Sequence, residues 1–135
     1  AEALDAEMTE RIKRHQADRG EGWRTIEAPL DLVSVIQGEI NPGESVLIDC
    51  LTLWLSNLFH HNRDIEQETM ALCNALQSSQ VQIALVSNEI GLGLVPETSL
   101  GRAFRDAQGR LNQNVAAVCD QVDFVAAGLP LRLKG

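Results

Sequence analysis

No run in this 135-residue chain is long enough to span a bilayer. The longest apolar stretches, such as Ser45–Ile48 and Ile83–Val86, fall well short of the ~20 residues a spanning helix needs. The opening residues hold no basic region followed by an apolar stretch, so no secretory leader is expected and the cytoplasm is the expected compartment. Positive charge is scarce: 11 Lys and Arg stand against 19 Asp and Glu, a net charge of −8. A nonspecific nucleic-acid binder needs a basic face, so that class is excluded. A small phosphate ligand is not, because a nest of backbone N–H groups or a few arginines suffices for it. Cysteines number three, Cys50, Cys73 and Cys119, with no C-x-x-C spacing. An odd count of cysteines set in apolar stretches argues against a disulfide framework or a zinc site, and for buried free thiols. Internal repeats, low-complexity tracts and linkers are also missing. The chain opens at Ala1 with neither Met nor a leading strand, which suggests a fragment or a processed form.

Hydrophobic residues make up 44% of the chain, enough to build a packed core. Leu4, Met8 and Ile12 recur on one face of an amphipathic helix over about Leu4–Gln16, closed by Gly20 and Gly22. Trp23–Ala28 reads as a short extended piece, and Leu30–Ile36 as a second helix ended by Gly38 and the turn Asn41-Pro42-Gly43. SVLIDC (Ser45–Cys50) is a continuous apolar run closing on a carboxylate, the pattern of a parallel strand buried on both faces. Helices are expected over Leu51–His61 and Asp64–Ser78, then a strand over Gln82–Asn88. A long helix with Thr98 as its cap follows, then strands over Asp123–Ala127 and Leu129–Lys134. Strands alternating with helices predict one α/β domain over residues 1–135 with an open, mostly parallel sheet.

Open α/β sheets bind ligands beyond the carboxyl ends of their strands. Asp49 ends the first such strand, where a carboxylate either holds Mg²⁺ or merely solvates the strand end. Ser87-Asn88-Glu89 ends the second and leads into a loop containing Gly91 and Gly93. That G-x-G lacks the third glycine of a dinucleotide fingerprint, so it is an active-site loop or a plain connection. His15 shares a helix face with Arg11. It is either a favourable charge near a helix end or a nucleophile, since imidazole attacks phosphorus without a strong base. His60 and His61 look like a solvated helix end. Arg102, Arg105, Asp106, Arg110, Asn112 and Gln113 form a polar cluster on the long helix. Arg105 pairs there with Asp106 or with an anionic ligand.

The stretches AEALDAEMTERIKRHQADRG, GWRTIEAPLDL, SVLIDCLTLWLSN and VSNEIGLGLVPETSLGRAFRDAQGRLNQ occur in this order and span nearly the whole chain. Together they resemble the adenosylcobinamide kinase/adenosylcobinamide-phosphate guanylyltransferase family. The resemblance implies a P-loop NTPase (RecA-like) fold assembled as a homotrimer. It implies phosphorylation of adenosylcobinamide by GTP or ATP, with Mg²⁺. Transfer of GMP from GTP to adenosylcobinamide phosphate then follows, through a guanylylated histidine. The histidine matching that intermediate is His15. The nucleotide contacts match Gln16, Ala17, Asp18, Arg19 and Glu27, and the Walker B acid matches Asp49.

One family motif does not occur in these 135 residues. The G-x-x-x-x-G-K-[ST] loop would supply the phosphate cradle, its lysine and the Mg²⁺-ligating hydroxyl. A rival expectation is therefore a non-catalytic remnant that self-associates or pairs through an exposed sheet edge. A flavodoxin-like binding module fits the bare α/β alternation, but gives no reason for the matches at His15, Glu27 and Asp49.

Overall fold

The computed structural model describes Glu10 and residues 22–135. The helix expected over Leu4–Gln16 lies outside that range apart from Glu10, as do His15, Gln16, Ala17, Asp18 and Arg19. The described elements run α1 (Leu32–Gly38), β1 (Ser45–Asp49), α2 (Leu51–His60), α3 (Ile65–Ser78), β2 (Gln82–Val86), α4 (Ser99–Val118), β3 (Val122–Ala126) and β4 (Leu129–Lys134). Trp23–Ala28 forms no strand.

β1 and β2 pair in parallel, in the register Ser45↔Gln82 to Asp49↔Val86, with α2 and α3 as the crossover between them. This is the βαβ logic that a parallel pair demands, because its strands cannot be joined by a tight turn. Alternation then sorts the side chains. Ile48 is buried, and Val46, Ile83 and Leu85 pack against the same core. Leu47 and Val86 point the other way and are 45% and 42% exposed. The expectation of strands buried on both faces is thus met on one face only among the described residues.

The core is built from Leu32 and Ile36 of α1, Leu51, Trp54, Leu55 and Leu58 of α2, Leu72 and Ala75 of α3, and Ala107, Leu111 and Val115 of α4. The spacing of these positions is the three-to-four-residue stripe of an amphipathic helix. Phe59 and Phe104 meet edge to face, with centroids 5.4 Å apart, and join α2 to α4. The turn between α2 and α3 uses Asn62 in the left-handed region (φ 52°). Asp64 then caps α3 by accepting from the Gln67 N–H at 3.0 Å.

The last two strands depart from the expected open parallel sheet. β3 and β4 pair with each other, antiparallel, as a separate two-stranded sheet. The cause is local: Ala127 and Gly128 both take positive φ (53° and 76°), the two-residue turn whose twist matches a hairpin. Pro130 sits inside β4, tolerable because a two-stranded ribbon has only edges. The three cysteines are free thiols, half-buried rather than fully buried as expected. Burial pushes the thiol pKa of Cys73 and of Cys119 upward. No helix among the described residues is long and apolar enough to cross a membrane.

Candidate functional site

The carboxyl ends of β1 and β2 lie side by side, since Asp49 pairs in register with Val86. Two chain segments leave this edge. Cys50 begins α2 after β1, and Ser87-Asn88-Glu89 follows β2. Thr52 ties the two together, its Oγ1 accepting from the backbone N–H of Asn88 at 2.9 Å. Asp49 and Glu27 are both exposed and both interact with other groups of the protein. Glu27 lies just upstream of a segment anchored to α2. Trp54 Nε1 donates to the Leu30 carbonyl at 2.9 Å, and Asn57 Nδ2 to the Pro29 carbonyl at 3.0 Å.

Helix α4 supplies the polar wall of the site. Ser87 donates from Oγ to Asn112 Oδ1 at 2.6 Å, and Gln108 Nε2 reaches both Ser87 Oγ and Asn112 Oδ1 at 2.9 Å. Asn112 Nδ2 donates to the Asn88 carbonyl at 3.2 Å and, more distantly, to Glu89 Oε2 at 3.5 Å. Gln108 is 0% exposed, and its Oε1 accepts no hydrogen bond among the described residues. Gln108 was not among the candidate residues expected from the sequence. It occupies an apolar-stripe position between Phe104 and Leu111, where a polar residue breaks the pattern, and that break was the available signal.

Arg102 and Arg105 of α4 bond to backbone carbonyls rather than to Asp106. Arg105 donates to the carbonyls of Gly91 (2.6 Å) and Leu94 (3.3 Å), and Arg102 to those of Pro96 (3.0 Å) and Glu97 (2.7 Å). They clamp the loop between β2 and α4 by its backbone. Glu89 is held at the start of that loop, its Oε1 accepting from the Gly91 N–H at 2.7 Å. A Cβ on residue 91 would come within 2.6 Å of that oxygen, so only glycine fits there without displacing the carboxylate.

Ser87, Glu89, Gly91, Arg105 and Asn112 line one end of a groove of about 1490 Å³. The groove continues along β1, β2 and α4 to the β3–β4 hairpin, where Phe124, Val125 and Leu133 make its walls apolar. Asp49 and Glu27 are not among its lining residues. A smaller hollow of about 400 Å³ lies between α1, α3 and the start of β2, and no titratable side chain lines it. The chemistry therefore gathers at the carboxyl edge of the strands, as in other open α/β sheets. His60 and His61 stand exposed at the end of α2, as expected.

Among the described residues no cluster of three or more His, Cys, Asp or Glu side chains is placed to hold a metal. Mg²⁺ in nucleotide sites does not need such a cage. One or two carboxylates suffice when phosphate oxygens and water complete the shell, a demand that the hard oxygens of Asp49 fit.

The family model for cobinamide kinase / cobinamide phosphate guanyltransferase matches residues 1–133. The bifunctional adenosylcobalamin biosynthesis protein CobP of Pseudomonas aeruginosa is 44% identical over 137 residues, spanning 100% of this chain and 79% of that protein. The bifunctional adenosylcobalamin biosynthesis protein CobU of Escherichia coli is 38% identical over 149 residues, covering 99% of this chain and 82% of its own length. CobU of Salmonella typhimurium is 34% identical over the same span and with the same coverage.

Proposed function

Because the chain belongs to the cobinamide kinase / cobinamide phosphate guanyltransferase family, we propose that it acts in cobalamin biosynthesis. It phosphorylates adenosylcobinamide with GTP or ATP and then transfers GMP from GTP to adenosylcobinamide phosphate. The observation that carries this reading is the family match across residues 1–133, together with parallel strands that end on Asp49 and on Ser87-Asn88-Glu89.

In this reading residues 1–135 form one nucleotide-binding α/β domain of the P-loop, RecA-like kind, working in the cytoplasm as a homotrimer. His15 is the nucleophile of the transferase step. Its imidazole nitrogen bonds to the α-phosphorus of GTP as the bond to pyrophosphate breaks. A phosphate oxygen of the corrinoid substrate then attacks the same phosphorus and releases His15. Gln16, Ala17, Asp18, Arg19 and Glu27 hold the nucleotide. Asp49 holds it too, and is the residue that would hold Mg²⁺, whose chemistry is to neutralise charge on the phosphates. The G-x-x-x-x-G-K-[ST] loop does not occur in these residues, and the relatives extend beyond the matched stretch.

The test uses the full natural chain. Incubation with GTP and Mg²⁺ should add one acid-labile GMP mass that His15→Ala abolishes. Labelling that persists in the variant would remove His15 from the role. Absence of both labelling and cobinamide phosphorylation would overturn the reading as a whole.

A further inference from the structure

The two reactions of the proposed function differ in one chemical demand. The acceptor in the transferase step is a phosphate, already anionic near neutral pH. The acceptor in the kinase step is an alcohol, whose proton must leave as its oxygen bonds to phosphorus. Kinases of known mechanism commonly place a carboxylate there. In that reading His15 carries the guanylyl group, Asp49 holds the metal, and the other matched carboxylates, Asp18 and Glu27, hold the nucleotide, so no role is yet assigned for taking that proton.

Building on that reading, we infer that Glu89 is the proton acceptor of the kinase step. Its carboxylate stands at the carboxyl end of β2, on the same sheet edge as Asp49, and lines the groove with Ser87, Arg105 and Asn112. Oε1 is oriented by the Gly91 N–H at 2.7 Å, and Oε2 faces the neutral Asn112 Nδ2 at a longer 3.5 Å. Glu89 makes no ion pair among the described residues, and each oxygen keeps a lone pair for a substrate hydroxyl. The neighbours that hold it are themselves held. Arg105 pins the Gly91 carbonyl, and Ser87 with the buried Gln108 fixes the Asn112 amide. A carboxylate fixed at one oxygen and left open at the other is positioned to take a proton from a substrate hydroxyl. In the step, the acceptor O–H proton passes to Glu89 as the oxygen bonds to the γ-phosphorus. The bond from that phosphorus to the bridging oxygen breaks, and the nucleoside diphosphate leaves.

The experiment compares the two half-reactions in the full natural chain. Glu89→Gln should lower the kcat of cobinamide phosphorylation by roughly a hundredfold or more. Guanylylation by GTP and transfer to separately supplied cobinamide phosphate should stay within about threefold. Gly91→Ala keeps the carboxylate but displaces it, and should depress the same half-reaction alone. Equal loss of both half-reactions would assign Glu89 a structural or nucleotide-binding role, and undiminished phosphorylation would overturn the proposal outright. Failure of the unsubstituted protein in both reactions would overturn the family-based reading, a result distinct from either.

Discussion

The hydroxyl of Ser87 donates to the side-chain oxygen of Asn112 at 2.6 Å, across 25 residues of sequence. That bond fastens the end of β2 to the middle of α4, and the buried Gln108 amide bridges the same two groups. Asn112→Ala removes the acceptor shared by Ser87 and Gln108 and leaves a buried donor with one partner fewer. The expected cost is about 1–3 kcal/mol, read as a lower denaturant midpoint with unchanged slope. A midpoint equal to that of the unsubstituted protein would show that the network adds no stability.

Thr98 caps the 20-residue α4, its Oγ1 accepting from the Gly101 N–H at 3.0 Å. Thr98→Ala should cost ~1 kcal/mol, and Thr98→Ser should restore most of it because a hydroxyl is all the cap uses. Thermal unfolding of the pair checks this, and equal melting temperatures for the two variants would contradict the assignment.

At the hairpin tip, Ala127 carries a Cβ at φ 53°, a conformation that L side chains other than Asn and Asp resist. Ala127→Asn creates the Asn-Gly pair such turns favour and should raise stability by up to about 1 kcal/mol. A drop in melting temperature would show that the turn is not in this conformation in solution.

Two exposed carboxylates shape the acid limb of the stability profile. Glu44 lies below its ordinary value of 4.5, chiefly through the Asn41 N–H and then Arg24. Asp123 lies below its ordinary 3.8, chiefly through Arg132 across the hairpin and then Gln121. A depressed folded-state pKa means the stabilisation is complete above those ordinary values and fades as pH falls below them. Exposure keeps the effect small. Glu44→Gln should flatten the loss of stability below about pH 4.5 while changing little at pH 7. An unchanged acid limb would show the contact does not persist in water.

The parallel pair and the helices between were legible because each apolar run or stripe had one period and a clear stop. SVLIDC ends on Asp49, QIALV is followed by Ser87, and Thr98 stands where a cap belongs. The last two strands were legible as well, but their pairing with each other as an antiparallel hairpin was not, since alanine rarely leads such a turn. The roles of Arg102 and Arg105 were hidden for another reason. Their partners are backbone carbonyls, which every residue carries and no pattern reveals. The positions matched to His15–Arg19 lie outside the described residues, so that part of the site rests on sequence alone.

The anchoring of Leu30 to Trp54 also has an optical consequence. The chain has two tryptophans and no tyrosine, so its near-ultraviolet emission comes almost wholly from two indoles. Trp23 is 56% exposed and open to an aqueous quencher, whereas Trp54 is 4% exposed and shielded from it. With Trp23 replaced by Phe, the remaining fluorophore, Trp54 of α2, is hydrogen-bonded to Leu30 on the segment that leads back to Glu27. A shift in its emission on adding nucleotide would report that segment's response directly, with no label attached.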